Sequence, residues 1–179
     1  MFYYKVDEDI YLKLFNPNDA VELLNLINSN RFYLREWLDW VDKTKDISDS
    51  KEFIYDSRKQ FASNNGFQVG IWYKGELVGV IALHEIDWED RQTEIGYWLG
   101  EEYQGNGIIT KSCEAIIDYV FDELELNRVE ITCAEENSKS QAVPKRLGFT
   151  KEGVIRDNQW LNGRYVNHVV YGLLKDEWE

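Results

Sequence analysis

The sequence predicts a mixed α+β domain, a twisted sheet with helices on both of its faces. Three observations lead there. Segments that alternate apolar and polar side chains are interleaved with segments of helical period along the whole chain. Lys74-Gly75 and Asn162-Gly163 stand between alternating stretches, as tight antiparallel hairpins require. A chain of 179 residues with 44% hydrophobic and 15% aromatic side chains and 2 prolines supplies one domain, 1–179, whose core needs neither metal nor disulfide.

In chain order, a first strand is expected over residues 10–15. Asn16 then caps a helix with Pro17 in its first turn and Asp19 three positions on, and Ala20, Leu23, Leu24 and Ile27 share one face up to about Asn28. Leu34, Trp37, Leu38 and Val41 have the spacing of a short second helix, and a third begins after Ser48 and carries Phe53, Ile54 and Phe61. Residues 68–73, 76–86 and 93–99 read as three antiparallel strands. From Ile108 the longest helical stripe runs through Ile109, Cys113, Ile116, Ile117, Val120, Phe121 and Leu124. Residues 128–134 alternate again, residues 139–147 form a short helix stopped by Gly148, and Asn162-Gly163 joins two final strands.

Lys and Arg number 20 against 33 Asp and Glu, a net charge of −13 that repels nucleic-acid phosphate and an anionic membrane surface and favours a basic partner. The same acidity also serves solubility, and charge alone does not choose between the two. The 2 cysteines, Cys113 and Cys133, form no CxxC pair and the 2 histidines no zinc spacing, so no metal is expected and both thiols are read as buried and reduced. Residues 2–11 hold no signal core, and no apolar run approaches the ~20 residues of a membrane span, which predicts a cytoplasmic protein.

The informative junction is residues 99–110, where a strand meets the longest helix through Gly105-Asn106-Gly107. Unpaired backbone N–H groups at a helix start attract anions, and glycine lets a phosphate lie against the backbone with no Cβ in the way. Neither GxxxxGK(S/T) nor a GxGxxG after a first strand is present, so the P-loop and Rossmann readings fail.

This segment resembles the cofactor motif of the GNAT N-acetyltransferases: Gln or Arg, two residues, Gly, one residue, then Gly or Ala. Gln104 and Gly107 match. Ile109 stands at the last position and must turn its side chain into the core. Asn137-Ser138-Lys139-Ser140, a short helix, then Leu147-Gly148-Phe149 through Gly153 resembles the second motif of the same superfamily. Residues 30–42, with Leu34, Trp37-Leu38 and Trp40, are similar to a stretch of the RimJ/RimL branch, the ribosomal-protein-serine acetyltransferases.

The resemblance implies a GNAT fold, a mostly antiparallel twisted sheet with a splayed parallel strand pair, formed here by residues 93–99 and 128–134. It implies acetyl-CoA as donor and direct attack by an amine without an acyl-enzyme, so that neither cysteine is a nucleophile. Backbone near Leu99 would pair with pantetheine. Amides of Gly105, Asn106, Gly107, Ile108 and Ile109 would hold the diphosphate, with Gln104 beside them, and Asn137 would steady the arm near the thioester. A glycine at position 100 would help the first strand bend away. Lys111, Lys139, Lys145 and Arg146 either add local positive charge or are solvated helix faces. Ser140 is either a general acid to the departing thiolate or a plain helix-start serine, and Pro144 would leave the Ser140 carbonyl free. Glu94 resembles a strand glutamate that serves as base, with a water chain to His84, Glu85 or the backbone as its rival. Gln159 takes the place of an acid that some relatives carry before the last hairpin, and His168 reads as a satisfied histidine.

Phe32, Tyr33, Trp37 and Trp40 would wall the acceptor slot, although Trp37 also fits a core position. An α-amine with a pKa near 8 costs about 1 kcal/mol to deprotonate at pH 7, against about 4.6 for lysine, so a weak base suffices for a protein N-terminus. The reading is therefore an N-acetyltransferase for a primary amine, the α-amine of a ribosomal protein first, and a homodimer by resemblance. A polyamine or amine antibiotic is the rival acceptor, and a non-catalytic CoA-sensing or protein-binding module is the rival class.

Overall fold

The computed structural model describes residues 3–178. Its sheet has eight strands in the order β1-β2-β3-β4-β5-β6-β8-β7: β1 Tyr4–Lys5, β2 Ile10–Leu14, β3 Phe67–Tyr73, β4 Glu76–Asp87, β5 Gln92–Leu99, β6 Arg128–Ala134, β7 Thr150–Leu161 and β8 Arg164–Leu174. Helices α1 Ala20–Leu34 and α2 Ile47–Ala62 cover one face, packing on β4 and β3. On the other, α3 Ile108–Asp118 and α4 Ser138–Arg146 pack on β5 and β6. Each face has its own core, around Leu23, Ile27 and Val80 on the first and around Ile108, Ile117, Val129 and Tyr171 on the second.

All pairings are antiparallel except that of β5 with β6. This parallel ladder holds only Gln92–Arg128, Thr93–Val129 and Glu94–Glu130, and beyond it the strands part. The splay therefore opens at Ile95, well before Gly100. Gly100 serves packing instead: its N–H donates to Val78 O at 2.8 Å, and a Cβ there would press on Tyr103 and Asn30. On its other edge β5 pairs with β4, where His84 and Glu85 bulge opposite Glu94. Gln60 pins this bulge, its Nε2 donating to Leu83 O at 3.1 Å and His84 O at 2.6 Å.

Two helices, not three, precede the main strands. Asn16 and Asp19 form the expected reciprocal cap, but on a short 3-10 turn, Pro17–Asp19, that feeds α1. The helix runs past Asn28 to Leu34 because buried Asn30 serves two backbone partners, donating to Leu26 O at 2.9 Å and accepting from Glu101 N at 2.9 Å. The short helix expected through Leu34, Trp37, Leu38 and Val41 does not form: Leu34 ends α1, and residues 35–43 are turns interrupted at Leu38. Arg31 takes the carbonyls of Val41 and Thr44 at 2.7 and 2.5 Å, and Asn162 Nδ2 donates to Arg35 O at 3.0 Å, tying this loop to α1 and to the last hairpin. α2 starts at Ile47 rather than after Ser48, because Asp46 is its cap and forms the capping box with Asp49. The long stripe after Ile108 is helical to Asp118 and then widens into a π turn, Tyr119–Glu123. No helix among the described residues is long and apolar enough to cross a membrane.

Candidate active site

Where β5 and β6 part, two recesses meet. A groove of ≈ 770 Å³ lies along the start of α3 and α4, and a cavity of ≈ 560 Å³ lies under α1, α2 and the loop 35–44. Both are lined by Trp37, Leu38, Tyr97, Trp98, Asn137 and Ser140, so these residues mark the junction.

The groove is made largely of main chain. Gly107 is the N-cap of α3 at φ 71°, no side chain caps the helix, and the first intrahelical bond is Lys111 N to Gly107 O at 3.0 Å. The N–H groups just before Lys111 are left open for an anion. Gly105 and Gly107 both have positive φ, and a Cβ built on either meets nothing within 4 Å, so bare backbone faces the groove. Gly105, Gly107, Ile108, Ile109 and Leu99 line it, and Leu99 is free on its β6 side because the ladder has ended. Asn106 does not line the groove; its Nδ2 folds back to Tyr103 O at 2.9 Å. Ile108 is core, and Ile109 packs partly against the core while still reaching the groove.

Charge at the rim is selective. Lys139 and Arg146 line the groove, Lys139 bonding Gln104 Oε1 at 3.0 Å and Arg146 bonding Thr110 Oγ1 at 2.6 Å. Lys111 also lines it but is paired with Asp7 at 2.7 Å, and Lys145 lies outside. Gln104 donates to the Tyr33 hydroxyl, and Lys139 sits 5.6 Å from that ring. Tyr33, expected in the acceptor slot, thus belongs to the groove, and Phe32 is 90% exposed. Trp37 and Trp40 line the ≈ 560 Å³ cavity, Trp37 reaching the groove as well, and Trp40 packs on Trp98 at 5.7 Å.

At the junction, Asn137 caps α4, its Oδ1 accepting from Ser140 N at 3.1 Å. Ser140 Oγ lies 3.2 Å from Cys133 Sγ and 3.5 Å from the Tyr97 hydroxyl. The Ser140 carbonyl, expected to stay free beside Pro144, accepts from the Tyr97 hydroxyl at 2.8 Å. Tyr97, which lines both recesses, is the junction side chain that sequence reasoning missed. Strand alternation gives its face, but nothing local reveals a partner 43 residues away. Burial pushes its phenol well above the ordinary value, so it remains a donor at neutral pH. Burial likewise raises both thiols, which keeps Cys113 and Cys133 protonated.

Glu94 stands at the closed end of the splay, paired across to Glu130, and lines neither recess. Burial raises its carboxyl above the usual glutamate value, opposed by the nearby His84 and by a hydrogen bond with Thr132. His84 lines the cavity, its ring packed over Gly96. Gln159 and His168 line the cavity as well; His168 is held by Asn158 at 2.7 Å and Gln159 at 3.2 Å, and burial lowers its pKa, which favours the neutral ring.

Residues 9–150 match the family described as Acetyltransferase (GNAT) domain. YdaF of Bacillus subtilis (strain 168), named provisionally as a ribosomal N-acetyltransferase, is 46% identical over 180 residues, 100% of this chain and 98% of its own. The ribosomal-protein-serine acetyltransferase of Escherichia coli (strain K12) is 30% identical over 172 residues, 96% of each chain. Among solved structures, the microcin C7 self-immunity acetyltransferase MccE, in complex with acetyl-CoA and AMP, matches with a TM-score of 0.92 at 34% identity, over 95% of this chain and 94% of that one. With its parallel pair splayed beside a glycine-led helix start, and its sequence matched over most of its length, this chain belongs to the GNAT acetyltransferase family.

Proposed function

We propose that the chain moves the acetyl group of acetyl-CoA to a primary amine, the α-amine of a basic ribosomal protein. The observation that carries this reading is the meeting of a backbone-lined groove with an aromatic cavity at Tyr97 and Ser140. The acceptor class is supported by the names of two relatives, a ribosomal N-acetyltransferase and a ribosomal-protein-serine acetyltransferase, and by the net charge of −13, which attracts a basic tail.

The open amides from Gly105 to Ile109 hold the diphosphate, with Lys139 and Arg146 supplying the nearby positive charge. The free edge of β5 at Leu99 receives the amides of the pantetheine arm, and Asn137, which fixes the start of α4, keeps Ser140 in register beside it. The amine enters from the cavity side, between Trp37 and Trp40, and attacks the thioester carbon. Its nitrogen bonds to the acetyl group, the carbon–sulfur bond breaks and CoA leaves as the thiol, its proton coming from Tyr97 or Ser140, the two hydroxyls at the junction; the second proton shed by the new amide nitrogen restores that hydroxyl. Glu94 draws the proton from the ammonium through His84, since the carboxyl is set back from the cavity that His84 lines. The resemblance to the GNAT family further supports a homodimer as the working unit; light scattering should then give twice the chain mass, and a single chain mass contradicts it.

Thiol release from acetyl-CoA, followed with a peptide carrying a basic ribosomal N-terminal sequence, tests the transfer. Release matched by one acetyl per peptide at the α-nitrogen is the expected result. Tight CoA binding with no release in the presence of any amine contradicts it and favours a sensing or protein-binding module.

A further inference from the structure

The acceptor cavity is lined by residues from Leu23 to His168, and among the described residues none of them is Asp, Glu, Lys or Arg. In a chain that is 30% charged this is a strong constraint on what can be bound. Trp37, Trp40, Phe53 and Trp98 wall the space with flat apolar surface. At ≈ 560 Å³ the cavity is in the range that encloses a whole small molecule or a large side chain, far more than serine or alanine fills.

Ser50 supplies the second observation. It is 1% exposed, lines the cavity from the first turn of α2, and its hydroxyl has no hydrogen-bond partner. A buried hydroxyl without a partner is costly unless a ligand completes it. A second cation or a carboxylate on the acceptor would be stripped of water here with no counter-charge to meet it.

Building on the transfer reading above, we propose that the acceptor is a primary amine that brings no charge into the cavity but the attacked nitrogen, and whose body there is a large aromatic group with an uncharged polar tip that bonds Ser50. A phenol is that group. Two sources share the chemistry, a polypeptide beginning with tyrosine and a free phenolic arylalkylamine. For the polypeptide, the basic tail stays outside on the acidic surface and only the first side chain enters.

Initial rates of thiol release are measured for the full chain with acetyl-CoA and peptides that differ only at the first residue, Tyr, Phe, Ser, Ala, Asp or Lys, and with tyramine and spermidine. The Tyr peptide should exceed the Ser and Ala peptides by about tenfold or more in kcat/KM, with Asp, Lys and spermidine slowest. Tyramine as fast as the Tyr peptide identifies the small amine as the source; a much slower tyramine identifies the polypeptide. Ser50→Ala should reduce the preference for Tyr over Phe by about fivefold, read as the ratio of the two kcat/KM values. Higher rates with Ser, Ala or spermidine than with Tyr overturn the proposal while leaving acetyl transfer intact, and an unchanged Tyr-to-Phe ratio in Ser50→Ala overturns the role of Ser50. No acetylation of any amine defeats both this proposal and the transfer reading.

Discussion

Two recesses meet at the gap between β5 and β6, and they are built by different means. The groove takes its anion-binding atoms from one contiguous piece of main chain, Gly105 to Ile109, where geometry is set by two positive-φ glycines and a helix start. The cavity takes its walls from the side chains of α1, α2, six strands and the loop 35–44, residues far apart in sequence. A site of backbone depends on a few residues that no other type can replace, whereas a site of side chains can be re-tailored wall by wall. The groove therefore suits a donor common to a family, and the cavity suits an acceptor particular to one member.

Substitutions should separate the two halves. The largest effect is expected from Gly107→Val, which asks a β-branched residue to hold φ 71° and should weaken acetyl-CoA binding by about 100-fold in calorimetry. Unchanged affinity would remove the helix start from the donor site. Tyr97→Phe deletes the donor to the Ser140 carbonyl and one hydroxyl at the junction, and should lower kcat by roughly 30-fold with little change in acetyl-CoA KM. A change in KM alone would make Tyr97 a ligand of the donor only.

Glu94→Gln should lower kcat/KM by roughly tenfold near pH 7 and alter its pH profile. The deprotonated carboxylate is the active form, and burial raises its pKa, so activity of the unaltered enzyme climbs as pH rises through that elevated value. The variant should lose this limb and keep only the titration of the amine itself. Identical profiles would transfer the role to His84 alone. Smallest is Trp40→Ala, which should raise acceptor KM by about fivefold and leave acetyl-CoA KM unchanged, since Trp40 lines the cavity and not the groove.

The same division governs what could be read from the sequence. Gly105 and Gly107 before an apolar stripe are a local pattern with a local cause, and residues 99–109 gave both the strand end and the open helix start. The hairpins at Lys74-Gly75 and Asn162-Gly163 were legible for the same reason, both pairs having positive φ. Residues 35–44 were not, because their helical spacing loses to the Arg31 guanidinium, which claims two of the carbonyls. Tyr33 carries the same kind of aromatic signal as Trp40 yet faces Gln104 and Lys139, a choice made by the docking of α1 beside α4. The bulge at His84, the pairing of Tyr97 with Ser140 and the unpartnered Ser50 depend on contacts between distant elements and leave no periodic trace.

A crystal structure of the chain with acetyl-CoA bears most directly on the junction between the two recesses. The account predicts diphosphate oxygens within hydrogen-bonding distance of the main-chain nitrogens of 105–109, and the thioester between Tyr97 and Ser140, open to the cavity that holds Trp40. A nucleotide bound away from that helix start, or a thioester closed off from the cavity, would contradict it.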